Sequence, residues 1–161
     1  MLQGVISRLH CPLVNGHRVS LKLTDGATVT YDLYHAIEEH QEQGDFTLCI
    51  CPGIGNNSES VYIRRVVYNA QLSGYRVCVL NHIGTLATVP VTSPRIFMYG
   101  NTADYAAMIK DVVRRFPNTT MVCVGFSMGG NLITKYLGEP RVKPDNIVAG
   151  ISVCQGYDAN R

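Results

Sequence analysis

Gly125-Phe126-Ser127-Met128-Gly129 places a serine at the centre of a G-x-S-x-G spacing. The residues before it, "TTMVCV" (Thr119–Val124), are apolar and β-branched, and those after it, "GNLITKYLG", include good helix formers. The serine therefore falls on a strand-to-helix turn. Such a turn is sharp and strained and lifts the hydroxyl above a sheet, so the two flanking elbow positions, Gly125 and Gly129, must be small. The chemistry this predicts is attack by Ser127 Oγ on an acyl carbon. A hydroxyl needs a base to become a nucleophile, and its tetrahedral adduct needs hydrogen-bond donors. The Met128 N–H is the first donor expected. The second is the Ile54 N–H in "CPGIGNNS" (Cys51–Ser58), where Gly53 and Gly55 leave the backbone unobstructed. The bland alternatives are an ordinary tight turn with an incidental serine and a plain glycine-rich loop.

The elements that must position these residues follow from periodicity. Val19, Leu21 and Leu23 alternate, as do Val29, Tyr31 and Leu33, and Asp25-Gly26 between them signals a hairpin at a sheet edge. "FTLCIC" (Phe46–Cys51), "YRVCVL" (Tyr75–Leu80), "TTMVCV" and "NIVAGISVC" (Asn146–Cys154) are short continuous apolar runs, the pattern of strands buried on both faces. Between them run two helical stripes. One is Ile63, Val66, Val67 and Ala70, with Ser58 as N-cap and Gly74 as C-cap. The other is Tyr105, Met108, Ile109, Val112 and Phe116, closed by Pro117. A third helix follows Ser127 and is capped at Gly138. Strands alternating with helices predict an α/β domain with a parallel sheet over residues 1–161 and chemistry at the carboxyl ends of its strands. Both glycine-rich loops fall there. Asn81–Gly100 is a long loop of the kind that often carries function.

Composition bounds the class. Apolar residues at 46% and charged residues at 16% of 161 argue against disorder. A net charge of +2 without a basic run leaves no nucleic-acid footprint. No apolar run approaches the roughly 18 residues of a membrane span, and "MLQGVISRLHCP" has no signal-peptide core, so a soluble chain is expected. Of six cysteines, Cys49, Cys78, Cys123 and Cys154 lie in apolar runs and read as reduced core thiols, and no C-x-x-C pair occurs. Neither a metal nor a cofactor is expected.

"LTDGATVTYDL", "CPGIGNNSESVYIR", "GYRVCVLNHIG", "TSPRIFMYG", "GFSMGGNLITKYLGE" and "SVCQGY" follow one another over nearly the whole chain. Together they resemble the α/β-hydrolase domain-containing lipases. The resemblance implies the N-terminal part of an α/β-hydrolase fold: a mostly parallel sheet with an N-terminal antiparallel hairpin, its C-terminal strands missing. It implies a serine ester hydrolase, an acylglycerol lipase or carboxylesterase acting on monoacylglycerol-type lipid esters through an acyl-enzyme, with Ser127 as nucleophile. It further implies membrane association, at the plasma membrane or endoplasmic reticulum through an anchor outside this sequence, and a steroid regulator.

That family's chain order is serine, then aspartate, then histidine. After Ser127 the acidic residues are Glu139, Asp145 and Asp158, and all five histidines (His10, His17, His35, His40, His82) precede the serine. The triad acid and base are thus expected outside this chain, which reads as a fragment, splice form or partial gene product with an exposed last strand. His82 in "LNHIG" is the best-placed upstream histidine, shaping the pocket or hydrogen-bonding the loop, with a role as base as the alternative. His40 and Asp45 make an H-x-x-x-x-D spacing seen in acyltransferases, read here as a solvated turn. Asn56-Asn57-Ser58 and Asn118-Thr119-Thr120 are glycosylation sequons. The competing function is an inactive fragment that binds lipid, steroid or a longer copy of itself.

Overall fold

The computed structural model describes residues 14–156, so the readings on His10, Cys11 and Asp158 lie outside the described residues. The expected hairpin forms from β1 (His17–Lys22) and β2 (Thr28–Tyr34), with Arg18 opposite Asp32 and Lys22 opposite Thr28. Its turn depends on Gly26, whose φ of 83° lies in the left-handed region, and on the Asp25 carboxylate, which accepts the Ala27 N–H at 3.0 Å. The chain then alternates β3 (Phe46–Cys51), α1 (Val61–Leu72), β4 (Arg76–Asn81), α2 (Ala103–Arg115), β5 (Thr120–Phe126), α3 (Met128–Gly138) and β6 (Ile147–Val153). These make a six-stranded sheet in the order β1-β2-β4-β3-β5-β6. β2 pairs antiparallel with both β1 and β4, and β4, β3, β5 and β6 run parallel.

The two-residue period of the strands sorts side chains onto two faces. Ile50, Val77, Val79 and Val124 meet Ile63, Val67 and Ala70 of α1 on one face. Cys49, Cys51, Cys78 and Cys123 meet Tyr105, Met108, Ile109, Leu132 and Tyr136 of α2 and α3 on the other. Burial pushes these thiols up, Cys78 to about 12, so they act as small apolar groups rather than nucleophiles. α2 is tied to β2 by the Tyr31 hydroxyl, which donates to Asp111 Oδ2 at 2.7 Å in the core.

Two expectations are corrected. Ser58 does not cap α1. Its hydroxyl is drawn to the buried Asp32 carboxylate at 2.6 Å, and the helix starts two residues later, at N-cap Ser60. Cys154 is exposed, because it lies past the end of β6 at a φ of 56°. β6 is a strand as its apolar run predicts, and it is the exposed last strand expected of this chain: among the described residues it pairs with β5 alone, and Val148 and Ile151 are 64% and 50% exposed.

Because β3, β4, β5 and β6 are parallel, their carboxyl ends share one rim of the sheet. His40 and Asp45 lie at the other rim. The His40 ring packs on Phe46 and Tyr75 at 4.1 and 4.8 Å, and Asp45 pairs with Arg76. The length of β3, roughly 20 Å at 3.3 Å per residue, separates that H-x-x-x-x-D spacing from Ser127.

Candidate active site

Ser127 stands between β5 and α3 with φ 52° and ψ −122°. A non-glycine residue in this region carries strain of about 1–3 kcal/mol and persists only where its surroundings over-determine it. They do so here: the Ser127 N–H donates to the Val153 carbonyl at 2.7 Å, and the Ser127 carbonyl accepts the Gly130 N–H at 2.8 Å. The serine is exposed while its neighbours Gly125, Met128 and Gly129 are buried. A side-chain carbon at Gly125 would strike the backbone of Gly129 and Gly130, and one at Gly129 would strike the carbonyls of Cys51 and Pro52. Both elbow positions therefore require glycine for space, whatever their dihedrals.

The loop from β3 to α1 comes directly against this turn. A carbon built on Gly53 would sit 3.4 Å from both Ser127 Cβ and the Phe126 carbonyl. The loop's amides are nearly all spoken for. Gly53 N–H donates to the Tyr62 hydroxyl at 3.1 Å, and Asn56 N–H to the Gly53 carbonyl at 3.1 Å. Asn57 and Ser58 N–H donate to Ser60 Oγ and Asn81 Oδ1 at 3.1 and 2.9 Å. Glu59 and Ser60 N–H go to the Asn57 side chain and carbonyl at 2.9 and 3.1 Å. Of the loop amides from Gly53 to Ser60, only those of Ile54 and Gly55 have no acceptor among the described residues. Met128 N–H, the first of α3, likewise has no acceptor within its own turn, and a helix N-terminus favours negative charge.

His82, immediately past β4, is buried. Its Nε2 lies 3.0 Å from the Pro52 carbonyl, which can only accept, so Nε2–H is the donor. The ring stands 4.9 Å from that of Phe97. Burial holds its pKa below the ordinary 6.5, outweighing the hydrogen bond it donates to Pro52 and the nearby Asp104 charge. His82 thus faces the loop rather than Ser127. Of the other described histidines, His17 starts β1, His35 follows β2 and His40 precedes β3, all at the opposite rim.

A buried network goes unread in the sequence. Asp32 takes Arg18 Nε and Nη2 at 2.8 Å each, Ser58 Oγ at 2.6 Å and Asn81 Nδ2 at 3.3 Å. Burial opposes its charge, but the bonds from Arg18 and Ser58 win and hold the carboxyl below its ordinary value. One signal for it was present, since the Asp25-Gly26 turn sets Arg18 opposite Asp32 in register. The sequon residue Asn56 is engaged within the loop, its Nδ2 donating to the Ile54 carbonyl at 2.9 Å, whereas Asn118 is exposed. Among the described residues no three His, Cys, Asp or Glu side chains converge as metal ligands, and no helix is long and apolar enough to cross a membrane.

Residues 47–160 match the family described as the alpha/beta hydrolase fold, and the chain belongs to it. Abhydrolase domain-containing protein 2 of Drosophila melanogaster is 52% identical over 160 residues, covering 99% of this chain and 40% of the relative. Monoacylglycerol lipase ABHD2 of Homo sapiens is 46% identical, covering 99% and 38%. The chain thus spans about two fifths of the length of these relatives. Among solved structures, the Pyrococcus furiosus esterase Pf2001 superposes with a TM-score of 0.67 at 17% identity, over 88% of this chain and 53% of the esterase. The α/β hydrolase GrgF from Penicillium gives 0.61 at 16% identity, over 88% and 46%.

Proposed function

We propose that this chain carries the nucleophile and oxyanion half of a serine ester hydrolase that acts on monoacylglycerol-type lipid esters. The observation that carries the reading is the strained, exposed Ser127 at the carboxyl end of β5, flanked by the unengaged N–H groups of Met128 and Ile54. In this mechanism Ser127 Oγ adds to the ester carbonyl carbon and gives up its proton to a base. The two amides hold the resulting oxyanion, the bond to the alcohol oxygen breaks as that oxygen is protonated, and water then releases the acid from the acyl-enzyme. The base and its carboxylate partner come from outside the described residues. The names of the relatives support the lipid ester as substrate, and such a substrate brings the enzyme to membranes.

A second reading applies to the 161 residues by themselves. No histidine follows Ser127, and His82 is committed to Pro52, which favours ester binding without turnover. Labelling with a fluorophosphonate serine probe decides between them. It is run on this chain, on Ser127→Ala, and on a version continued by the downstream region of the 52% identical Drosophila relative. Labelling at Ser127 in the longer version alone supports the hydrolase reading with an external base. Labelling in neither overturns the nucleophile.

A further inference from the structure

The last residue of β4 and the turn that follows it hold the β3–α1 loop at three separate points. Asn81 Oδ1 accepts the Ser58 N–H at 2.9 Å, His82 Nε2–H donates to the Pro52 carbonyl at 3.0 Å, and the Thr85 carbonyl accepts Asn57 Nδ2 at 2.8 Å. Each anchor is itself fixed. Asn81 Nδ2 reaches the Asp32 carboxylate at 3.3 Å, and Thr85 bonds the His82 carbonyl through both its hydroxyl, at 2.7 Å, and its N–H, at 3.1 Å. The three gripped residues bracket Gly53–Asn56, the stretch that lies against Ser127 and holds the two unengaged amides. Pro52, the near anchor, also has its carbonyl directly against Gly129 of the elbow.

We infer that His82 is a positioning residue for the oxyanion loop: its Nε2–H grips the Pro52 carbonyl and, with Asn81 and Thr85, keeps the Ile54 amide set for the adduct on Ser127. The inference rests on the reading of Ile54 as a donor. A misplacement of about 1 Å in such a donor costs on the order of a hundredfold in rate, so a grip two residues away is worth catalytic factors without touching substrate. Pro52 brings no N–H of its own, so holding its carbonyl is the direct way to set the peptide that leads into Gly53.

The test separates the grip from the chemistry. In the 161-residue chain, nitrogen-15 NMR of the His82 ring reads its tautomer: protonated Nε2 is expected, and a neutral ring protonated at Nδ1 overturns the inference without any variant. Amide hydrogen exchange then compares wild type, His82→Leu and His82→Gln. Leu is expected to speed exchange at Asn56, Asn57 and Ser58 at least tenfold while Ile50 and Val124 stay protected, and Gln, which retains a donor, restores most of the protection. Should His82→Leu not fold, Asn57→Ala serves in its place and is expected to speed the same amides. In the longer version, fluorophosphonate labelling of His82→Leu is expected to lose ten- to a hundredfold in the maximal inactivation rate with little change in probe affinity, with partial rescue by Gln. Unchanged loop exchange, or a loss in affinity alone, overturns the positioning role. If wild type does not label, the hydrolase reading fails while the tautomer and exchange results still judge the grip.

Discussion

The backbone of Gly129, the second residue of α3, lies directly against the carbonyl of Cys51 at the end of β3. This contact joins the serine turn to the glycine-rich loop, and it has no room for a methyl group. Gly129→Ala is therefore expected to cost about 3 kcal/mol, because the obstacle is backbone rather than a movable side chain. It is also expected to abolish labelling of Ser127. Urea denaturation and probe labelling check the two effects together.

Ser127 holds a φ of 52° that glycine adopts without penalty. Ser127→Gly should raise stability by about 1 kcal/mol as strain is relieved, while labelling is lost. Ser127→Ala should lose labelling without that gain, so the difference between the two midpoints in urea measures strain stored at the turn.

Asp32 is the centre of the buried network behind the loop. Asp32→Ala leaves Arg18, Ser58 and Asn81 without their shared acceptor, and about 2–3 kcal/mol of stability should be lost. Arg18, with its side chain 30% exposed, recovers part of its loss by solvation, which keeps the figure below that of a fully buried pair. Asp32→Asn should cost less, because it keeps an acceptor for Ser58. Thermal denaturation of both variants tests the ordering.

His82 sets a pH dependence whose sign follows from its environment. Its folded pKa lies below the ordinary 6.5, so near and below that value the unfolded chain binds the proton that the folded chain refuses. Stability from this group is complete above about pH 6.5 and declines as pH falls. Replacing the imidazole by His82→Gln should flatten that part of the profile. Urea midpoints between pH 5.5 and pH 8, wild type against variant, give the measurement.

The β6 edge presents Val148 and Ile151 to solvent beside strand backbone that pairs with no other strand among the described residues. Such an edge recruits other strands. The 161-residue chain should self-associate with rising concentration, and Val148→Lys together with Ile151→Lys should suppress this without disturbing β5. Sedimentation velocity across a concentration series decides it.

Much of this molecule was determined by the sequence itself. Continuous apolar runs separated by amphipathic stripes specify parallel strands and their helices, because a strand buried on two faces has no polar side to show. Asp25-Gly26 specified the hairpin, since few residues adopt its turn. Gly125, Ser127 and Gly129 announced the elbow, because only small residues fit that crossing. Other features depend on which distant segments meet. The position of Ser58 in the sequence reads as a helix cap, but a carboxylate from β2 captures its hydroxyl and moves the helix start. Cys154 looks as apolar as Cys123, yet the one follows an edge strand and the other lies under α3. The role of His82 was left open between base, pocket and loop, because an imidazole serves all three. The carbonyl of Pro52, brought against it by the pairing of β3 with β4, decided its partner. Tertiary structure alone left the Ile54 and Gly55 amides unengaged, since whether an amide is free depends on every acceptor that folding brings within reach.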